Sequence, residues 1–493
     1  MPNLHPNSTD YVHSYEPNTN DLTMAMDYNS QGQPVIRTAI SGGITIDEVN
    51  VTDVEISNDD GNPIPISANK INNSSSNPIW VKGSSDTSFF FPTQLDAFAR
   101  LRVSNPETIF DSQQIHVEST EYTTKLLGSA TKTYVENESC VFLSVGTSVN
   151  DEAIRQTKRV MPYQPGKSML IFNTFVFNTP KQGLRQRVGY FDADNGIYLE
   201  NDGIDNYLVL RSSASGITTE RRIIQSSWNG DKFDGFGISG QQPDRTPEQP
   251  TLDVSKANIM WMDIEWLGVG DVRVGFVVDG TPIVAHTFHN DNRNTSVYMK
   301  TACLPLRFEI KNTTAQLESS ILKQICATVI SEGGYSLKGK IRGCGRGFTI
   351  ADGTSLNIAG TEYPLIAFRL KEGRKHSVVI PSNYRIFVNS NATISYRVWI
   401  GAQVSGGTWE SRPTSSSVEF NTGITGATYT EAELVQGGFV TAQASIESGT
   451  GLENLLYQLQ YWEDGTRPIV LLTAIPTQNN ITVLSKAEWI ELV

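Results

Sequence analysis

From about residue 84 onward, the apolar residues of this chain fall into short alternating runs cut by turn formers every 8–15 positions. Examples are Ser168–Phe177, Arg187–Phe191, Tyr207–Arg211, Ile259–Leu267, Val272–Val278 and Leu306–Ile310. An alternation of period two puts every second side chain on one face of an extended strand. Asp279-Gly280 follows one such run directly, and Asp-Gly is a strong signal for a two-residue hairpin turn. Residues 316–330 fit strand or helix; Ser319-Ser320 and the β-branched residues favour strand. Many short strands with few helices predict a two-sheet β-sandwich over residues 84–340. Glycines and Asp352-Gly353 mark residues 341–362 as a linker. Residues 363–493 alternate again (Leu365–Leu370, Ile394–Ile400, Pro468–Leu472, Ile481–Leu484) and predict a smaller β-domain. The expected fold class is all-β.

The N-terminal part reads differently. Apolar pairs two apart recur every five residues: Ile44 with Ile46, Val49 with Val51, and Val54 with Ile56. The same frame returns as Ile64 with Ile66 and as Ile79 with Val81. Strands of about three residues have too little apolar face to bury alone, so residues 38–83 are expected to associate with copies of themselves. Polar slots at Asp59 and Gly61 and at Ser74 and Ser76 interrupt the strip, which favours a short, irregular collar over a long regular shaft. Residues 1–37 are polar and rich in Asn and Pro. Alone they are expected to be disordered, and they suit an anchoring tail held by other chains.

Composition narrows the function. The chain has 493 residues, of which 38% are hydrophobic, low for a compact enzyme and compatible with a thin β-rich protein. Its net charge is −13, without a basic block, which argues against nucleic-acid binding. The start, Met1-Pro2-Asn3-Leu4-His5-Pro6, lacks the pattern of a secretory leader, and no apolar run reaches membrane-helix length. No membrane insertion is expected. Cys140, Cys303, Cys326 and Cys344 are scattered and expected to be reduced thiols.

The best catalytic candidates are Asp263 and Glu265 in Trp261-Met-Asp-Ile-Glu-Trp266. They share a strand face with Trp261, an arrangement a glycosidase could use, and partly match the Glu-x-Asp-x-x-Glu pattern of jelly-roll glycosidases. No third carboxylate follows, and Cα atoms two apart are about 6.5–7 Å apart against the roughly 5–5.5 Å between carboxyls of a retaining enzyme. The plain reading is a strand whose polar face meets solvent or Arg273 across the hairpin. Asp192-Ala-Asp194-Asn195-Gly196 has Gly one place early for an EF-hand, and reads as an Asn-Gly hairpin turn rather than a Ca²⁺ loop. Residues 231–240 read as a mobile Gly-rich loop over a sheet. His286 and His289 fall on opposite strand faces and do not suit a shared metal. No cofactor and no metal site is expected. Trp399, Trp409 and Trp462 are candidates for stacking on a glycan, unless the core claims them.

An ordered series of segments resembles virion structural proteins of tailed bacteriophages, marine and cyanobacterial ones among them. It opens with Asp96-Ala-Phe-Ala-Arg-Leu-Arg-Val-Ser-Asn-Pro106 and continues through Tyr163-Gln-Pro-Gly-Lys-Ser168, Arg187-Val-Gly-Tyr-Phe-Asp192 and Asn195-Gly-Ile-Tyr198. Asp263-Ile-Glu-Trp-Leu-Gly-Val-Gly270 and Val274-Gly-Phe-Val-Val-Asp-Gly280 complete it, so the resemblance covers roughly residues 95–310. It implies a lectin-like (jelly-roll) sandwich in a non-enzymatic virion part, assembled in the host cytoplasm. A homotrimeric tail, baseplate or fibre component is expected. The tail would engage other virion proteins, and host-surface glycan is the expected external partner. A capsid-surface decoration or head fibre is the alternative, and a depolymerase using Asp263 and Glu265 the second alternative. The family supplies no catalytic residue.

The strips generate a direct test. Replacing Ile44, Ile46, Val49, Val51, Val54 and Ile56 with Asp is expected to convert the assembly to monomers. Light scattering that returns the parent's mass for this variant refutes the oligomerisation reading.

Overall fold

The computed structural model describes residues 11–13, 23–28, 34–39, 105–239, 252–336, 338–441, 445–448 and 457–492. The expected oligomerisation positions Ile44, Ile46, Val49, Val51, Val54, Ile56, Ile64, Ile66, Ile79 and Val81 all lie outside the described residues. The chain divides into two units, 1–88 and 89–493.

In the first unit, Tyr11–His13, Thr23–Tyr28 and Pro34–Ala39 form an antiparallel three-stranded sheet. This corrects the expectation of a structureless tail. The strands are short, and Thr23-Met-Ala-Met alternates weakly enough to be lost among the surrounding Asn and Pro.

The second unit begins with a β-sandwich, as the alternation predicts. Its seven-stranded sheet runs, edge to edge, Thr219–Ile224, Asn206–Ser212, Gly196–Asn201, Leu184–Phe191, Leu306–Asn312, Glu152–Thr157 and Tyr122–Leu127. The facing eight-stranded sheet runs Thr281–Phe288, Val272–Val278, Asn258–Ile264, Met169–Val176, Ser320–Ser331, Cys140–Val145 and Thr131–Val135. Glu107–Ser112 pairs with the second half of Ser320–Ser331. Val188, Leu199, Leu208 and Phe308 of the first sheet share a core with Ile171, Met260, Val274 and Val329 of the second. Burying these faces is the main stabilising term, at about 25 cal/mol per Å² of apolar surface.

Over the central strands the opposite face of the seven-stranded sheet is also buried, and the alternation there delivers charges. Glu309 accepts from Arg185 at 3.0 Å, Arg187 at 3.3 Å and Arg307 at 3.0 Å. Glu200 joins Arg187 at 2.5 Å and also pairs with Arg222. Tyr198 lies between Arg187 and Arg211, 5.2 and 5.0 Å from its ring centre, and its hydroxyl donates to Glu220. Burial pushes the Glu309 carboxyl up, but Arg307, Arg187 and Arg185 outweigh it and bring it down to about 2. A buried charge persists only when paired in this way.

The remaining chain forms a second sandwich. One sheet orders Lys340–Arg346, Ile481–Leu492, Val378–Val388 and Ser445–Ser448, with Thr354–Leu356 also on Ile481–Leu492. The other orders Val418–Asn421, Tyr363–Leu370, Val470–Pro476, Ile394–Ile400 and Glu433–Val440. Phe368 stacks on Trp489 at 5.4 Å in the shared core. The expected linker at 341–362 is thereby corrected. Lys340–Arg346 and Thr354–Leu356 are strands of this sheet, and Gly343 and Gly345 pair with Glu488 and Lys486 within the ladder instead of breaking it. The four cysteines are free thiols. No helix among the described residues is long and apolar enough to cross a membrane.

Asp279 and Gly280 join Val272–Val278 to Thr281–Phe288 with φ of 48° and 77°, the left-handed pair of a type I′ turn. A Cβ at Gly280 would meet nothing within 4 Å. Gly280→Ala is therefore expected to cost only the backbone penalty, about 1 kcal/mol, read as a lower urea midpoint with an unchanged slope. An unshifted midpoint contradicts the turn.

Candidate functional site

Asp263 and Glu265 come first, because they carry any hydrolytic reading. Asn258–Ile264 places Asp263 opposite Arg273 on Val272–Val278, and the two side chains form an ion pair. Glu265 accepts a hydrogen bond from the Tyr163 hydroxyl at 3.1 Å. Both carboxylates are 0% exposed. The pair is spent on neighbouring side chains and presents no open face to a substrate.

The Asp192 loop holds a different surprise. It is not a two-residue Asn-Gly turn. Gly196 already belongs to the next strand, and Asp192 organises the loop through Oδ1, which accepts the backbone N–H of Asp194 and of Asn195, each at 2.8 Å. Oδ2 faces the second sandwich, where His376 Nε2 lies at 2.6 Å and Lys375 Nζ at 2.8 Å. Lys375 also reaches Asp194 at 2.6 Å. Two side chains from the second sandwich thus hold the oxygens that a cation would need. Burial raises the Asp192 carboxyl, but His376 and Lys375 outweigh it and hold it well below the usual carboxylate range. Arg307 to Glu463 at 3.2 Å and Lys158 over the Trp462 ring at 5.4 Å extend the junction.

The docking of the two sandwiches leaves a cavity of about 410 Å³ beside this junction. Such a volume lies within the roughly 300–1,000 Å³ of small-ligand sites, which favour domain interfaces. Tyr163, Trp266 and Tyr335 supply aromatic wall, and Val378 and Leu492 come from the second sandwich. The aromatics are fixed. Trp266 Nε1–H donates to the Met299 carbonyl at 3.2 Å, and Tyr163 meets Trp266 edge to face at 5.9 Å. Cys303 also lines the cavity, and burial pushes its thiol up, so it stays protonated.

The three sequence-picked tryptophans do not meet. Trp399 and Trp409 flank one small apolar cluster in the second sandwich, whereas Trp462 sits at the junction with the first. Trp399 donates to Glu362 at 2.8 Å, and Arg369 covers Trp409 at 4.0 Å. The loop at 231–239 is tethered through Asp231. Asp231 accepts the N–H of Phe233 and of Ser239, each at 2.7 Å, and Phe233 enters the core. His286 is buried among core residues, while His289 meets Asp271 at 2.6 Å. Trp266 was visible in the sequence as part of the acidic strand, but nothing there joined it to Tyr163 and Tyr335.

The molecule is thus an all-β protein with two β-sandwiches in its larger unit. No family model and no curated protein matches the chain. Solved structures with partial likeness include the carbohydrate recognition domain of Emp47p, at 10% identity over 46% of this chain and 96% of that one, with a TM-score of 0.27. The lectin-like defence protein arcelin-5 of Phaseolus vulgaris gives 8% identity over 46% and 98%, with a TM-score of 0.26. A Bacteroides ovatus GH16 protein in complex with a glucan product gives 7% over 45% and 99%, with a TM-score of 0.29. Values this low bear on neither ligand nor activity.

The junction yields a pH prediction. A carboxyl lowered on folding stabilises the protein above its unfolded value, about 3.9 for Asp, and that stabilisation drains away as pH falls below it. Asp192→Asn is expected to lower the melting temperature at pH 7, with the gap to the parent shrinking below about pH 4. A gap that stays constant from pH 7 to pH 3 contradicts the assignment.

Proposed function

We propose that this chain is a non-enzymatic structural component of a tailed-phage virion, a homotrimeric tail, baseplate or fibre part that adheres to host-surface glycan. The observation that carries the non-enzymatic, adhesive half is the contrast between the two candidate sites. Asp263 and Glu265 are sealed by Arg273 and Tyr163, whereas the aromatic cavity at the sandwich junction is open. A retaining or inverting hydrolase needs two carboxyls free to face the sugar. A binding protein needs only fixed aromatic and polar surface.

The virion half is supported by the ordered segments at 95–310. They coincide with most of the first sandwich, and several fall on features that organise it. Arg187 belongs to the buried charge network, Asp192 to the junction, and Asp279-Gly280 to the hairpin. Localisation follows from that reading, with a trimer letting weak contacts add by avidity.

Two measurements test the proposal. Antibody raised against the second sandwich is expected to decorate intact particles at a fixed position. The parent and the variants Asp263→Asn and Glu265→Gln are all expected to release no reducing sugar from host polysaccharide. Release by the parent that either substitution abolishes makes the protein a depolymerase instead.

A further inference from the structure

The charge around the junction cavity is one-sided. Lys167, Lys300 and Lys338 line it, and no Asp or Glu appears among its described lining residues. The three lysines arrive from separate segments: the loop before Met169–Val176, the stretch before Leu306–Asn312, and the connector between the sandwiches. Lys167 Nζ is held by two neutral oxygens, Gln164 Oε1 and the Gly334 carbonyl, each at 3.0 Å. Lys300 and Lys338 are exposed and form no ion pair among the described residues.

Carboxylates do stand behind the walls, but each is already engaged. Glu265 takes the Tyr163 hydroxyl, Glu107 takes the Tyr335 N–H at 2.9 Å, and Asp192 takes His376 and Lys375. The contrast with the larger cavity of the second sandwich, about 680 Å³, is direct. There Arg412 pairs with Glu410 at 2.6 Å and Lys486 pairs with Glu488. Arg412 and Lys486 are neutralised at that cavity, whereas Lys167, Lys300 and Lys338 of the junction cavity form no ion pair among the described residues.

We infer that the junction cavity binds an anionic saccharide, its acid group set among Lys167, Lys300 and Lys338 and its ring against Trp266 and Tyr163. This inference rests on the adhesive reading and gives it a ligand class. Lysine ammonium groups are point charges without the planar fork of arginine, so they accept a carboxylate or a phosphate alike. The flanking rings add apolar contact for the sugar's C–H face.

The test uses the full chain in isothermal titration calorimetry with three pairs of probes. These are a galacturonic acid trisaccharide and its methyl ester, sialyllactose and lactose, and mannose 6-phosphate and mannose. At least one acidic probe is expected to bind at least tenfold tighter than its neutral partner, and added salt is expected to weaken that acidic probe alone. Which pair separates distinguishes carboxylate from phosphate recognition. The double variant Lys300→Gln/Lys338→Gln is expected to lose most of the acidic probe's affinity at an unchanged melting temperature, and Lys300→Arg/Lys338→Arg to retain it. Equal binding within every pair, or unchanged affinity in the Gln variant, overturns the inference and leaves adhesion standing. If no probe binds while the protein still coats host cells, the inference again falls alone. If it neither binds a probe nor coats host cells, the adhesive reading falls as well.

Discussion

The Asp192 carboxylate accepts two backbone N–H groups of its own loop through Oδ1 and two side chains of the second sandwich through Oδ2. The loop geometry and the docking of the sandwiches therefore share one group. Much of the molecule's organisation follows from that sharing. His376, placed by Asp192, also lines the junction cavity, and Val378 and Leu492 reach the cavity from the same sheet. A partly buried ionic contact of this kind needs all its partners. Removing one strands the others away from water, a cost that exceeds the worth of an exposed pair.

The seven-stranded sheet obeys the same rule on a larger scale. With both faces buried over its central strands, the alternation there cannot be apolar-in and polar-out. One face supplies Val188, Leu199 and Phe308 to the core, and the other supplies Arg187, Glu200, Arg307 and Glu309 to one another. Tyr198 and Phe191 fill the gaps between guanidinium groups, with their rings 4.3 Å apart. Burial pushes the Glu309 carboxyl up, and the surrounding arginines more than offset it. The polar face is thus as ordered as the apolar one.

Elements whose cause is local were legible in the sequence. Asp279-Gly280 dictates its turn by backbone sterics, and the run at 316–330 resolves to the strand Ser320–Ser331. Asp263 faces Arg273 in the antiparallel register that also pairs Ile264 with Val272, so the period-two pattern of both strands sets the contact. Elements whose cause is distant were not legible. The glycines at 343 and 345 look like breakers until Ile481–Leu492 supplies a ladder for them. Asn195-Gly196 looks like a turn until Asp192 is seen to organise the loop with help from His376 and Lys375. The cavity is the extreme case. Its walls at 162–165, 167, 266, 300–303, 335–336, 338, 376, 378 and 492 are spread over more than half the chain, and only the packing of one sandwich on another brings them together.

Lys300 and Lys338 stand outside the hydrogen-bonded ladders and make no ion pair among the described residues, while Asp192, His376 and Glu309 carry the architecture. That division separates what can drift from what cannot. A lineage can exchange those lysines for other residues, and so change what the cavity accepts, without reopening either sandwich. Exchange at Asp192 or Glu309 instead demands compensating changes on both sides of the contact. Rapidly varying positions at the cavity and slowly varying ones in the ionic contacts are therefore expected within one molecule, the pattern of a scaffold that can change its target while keeping its shape.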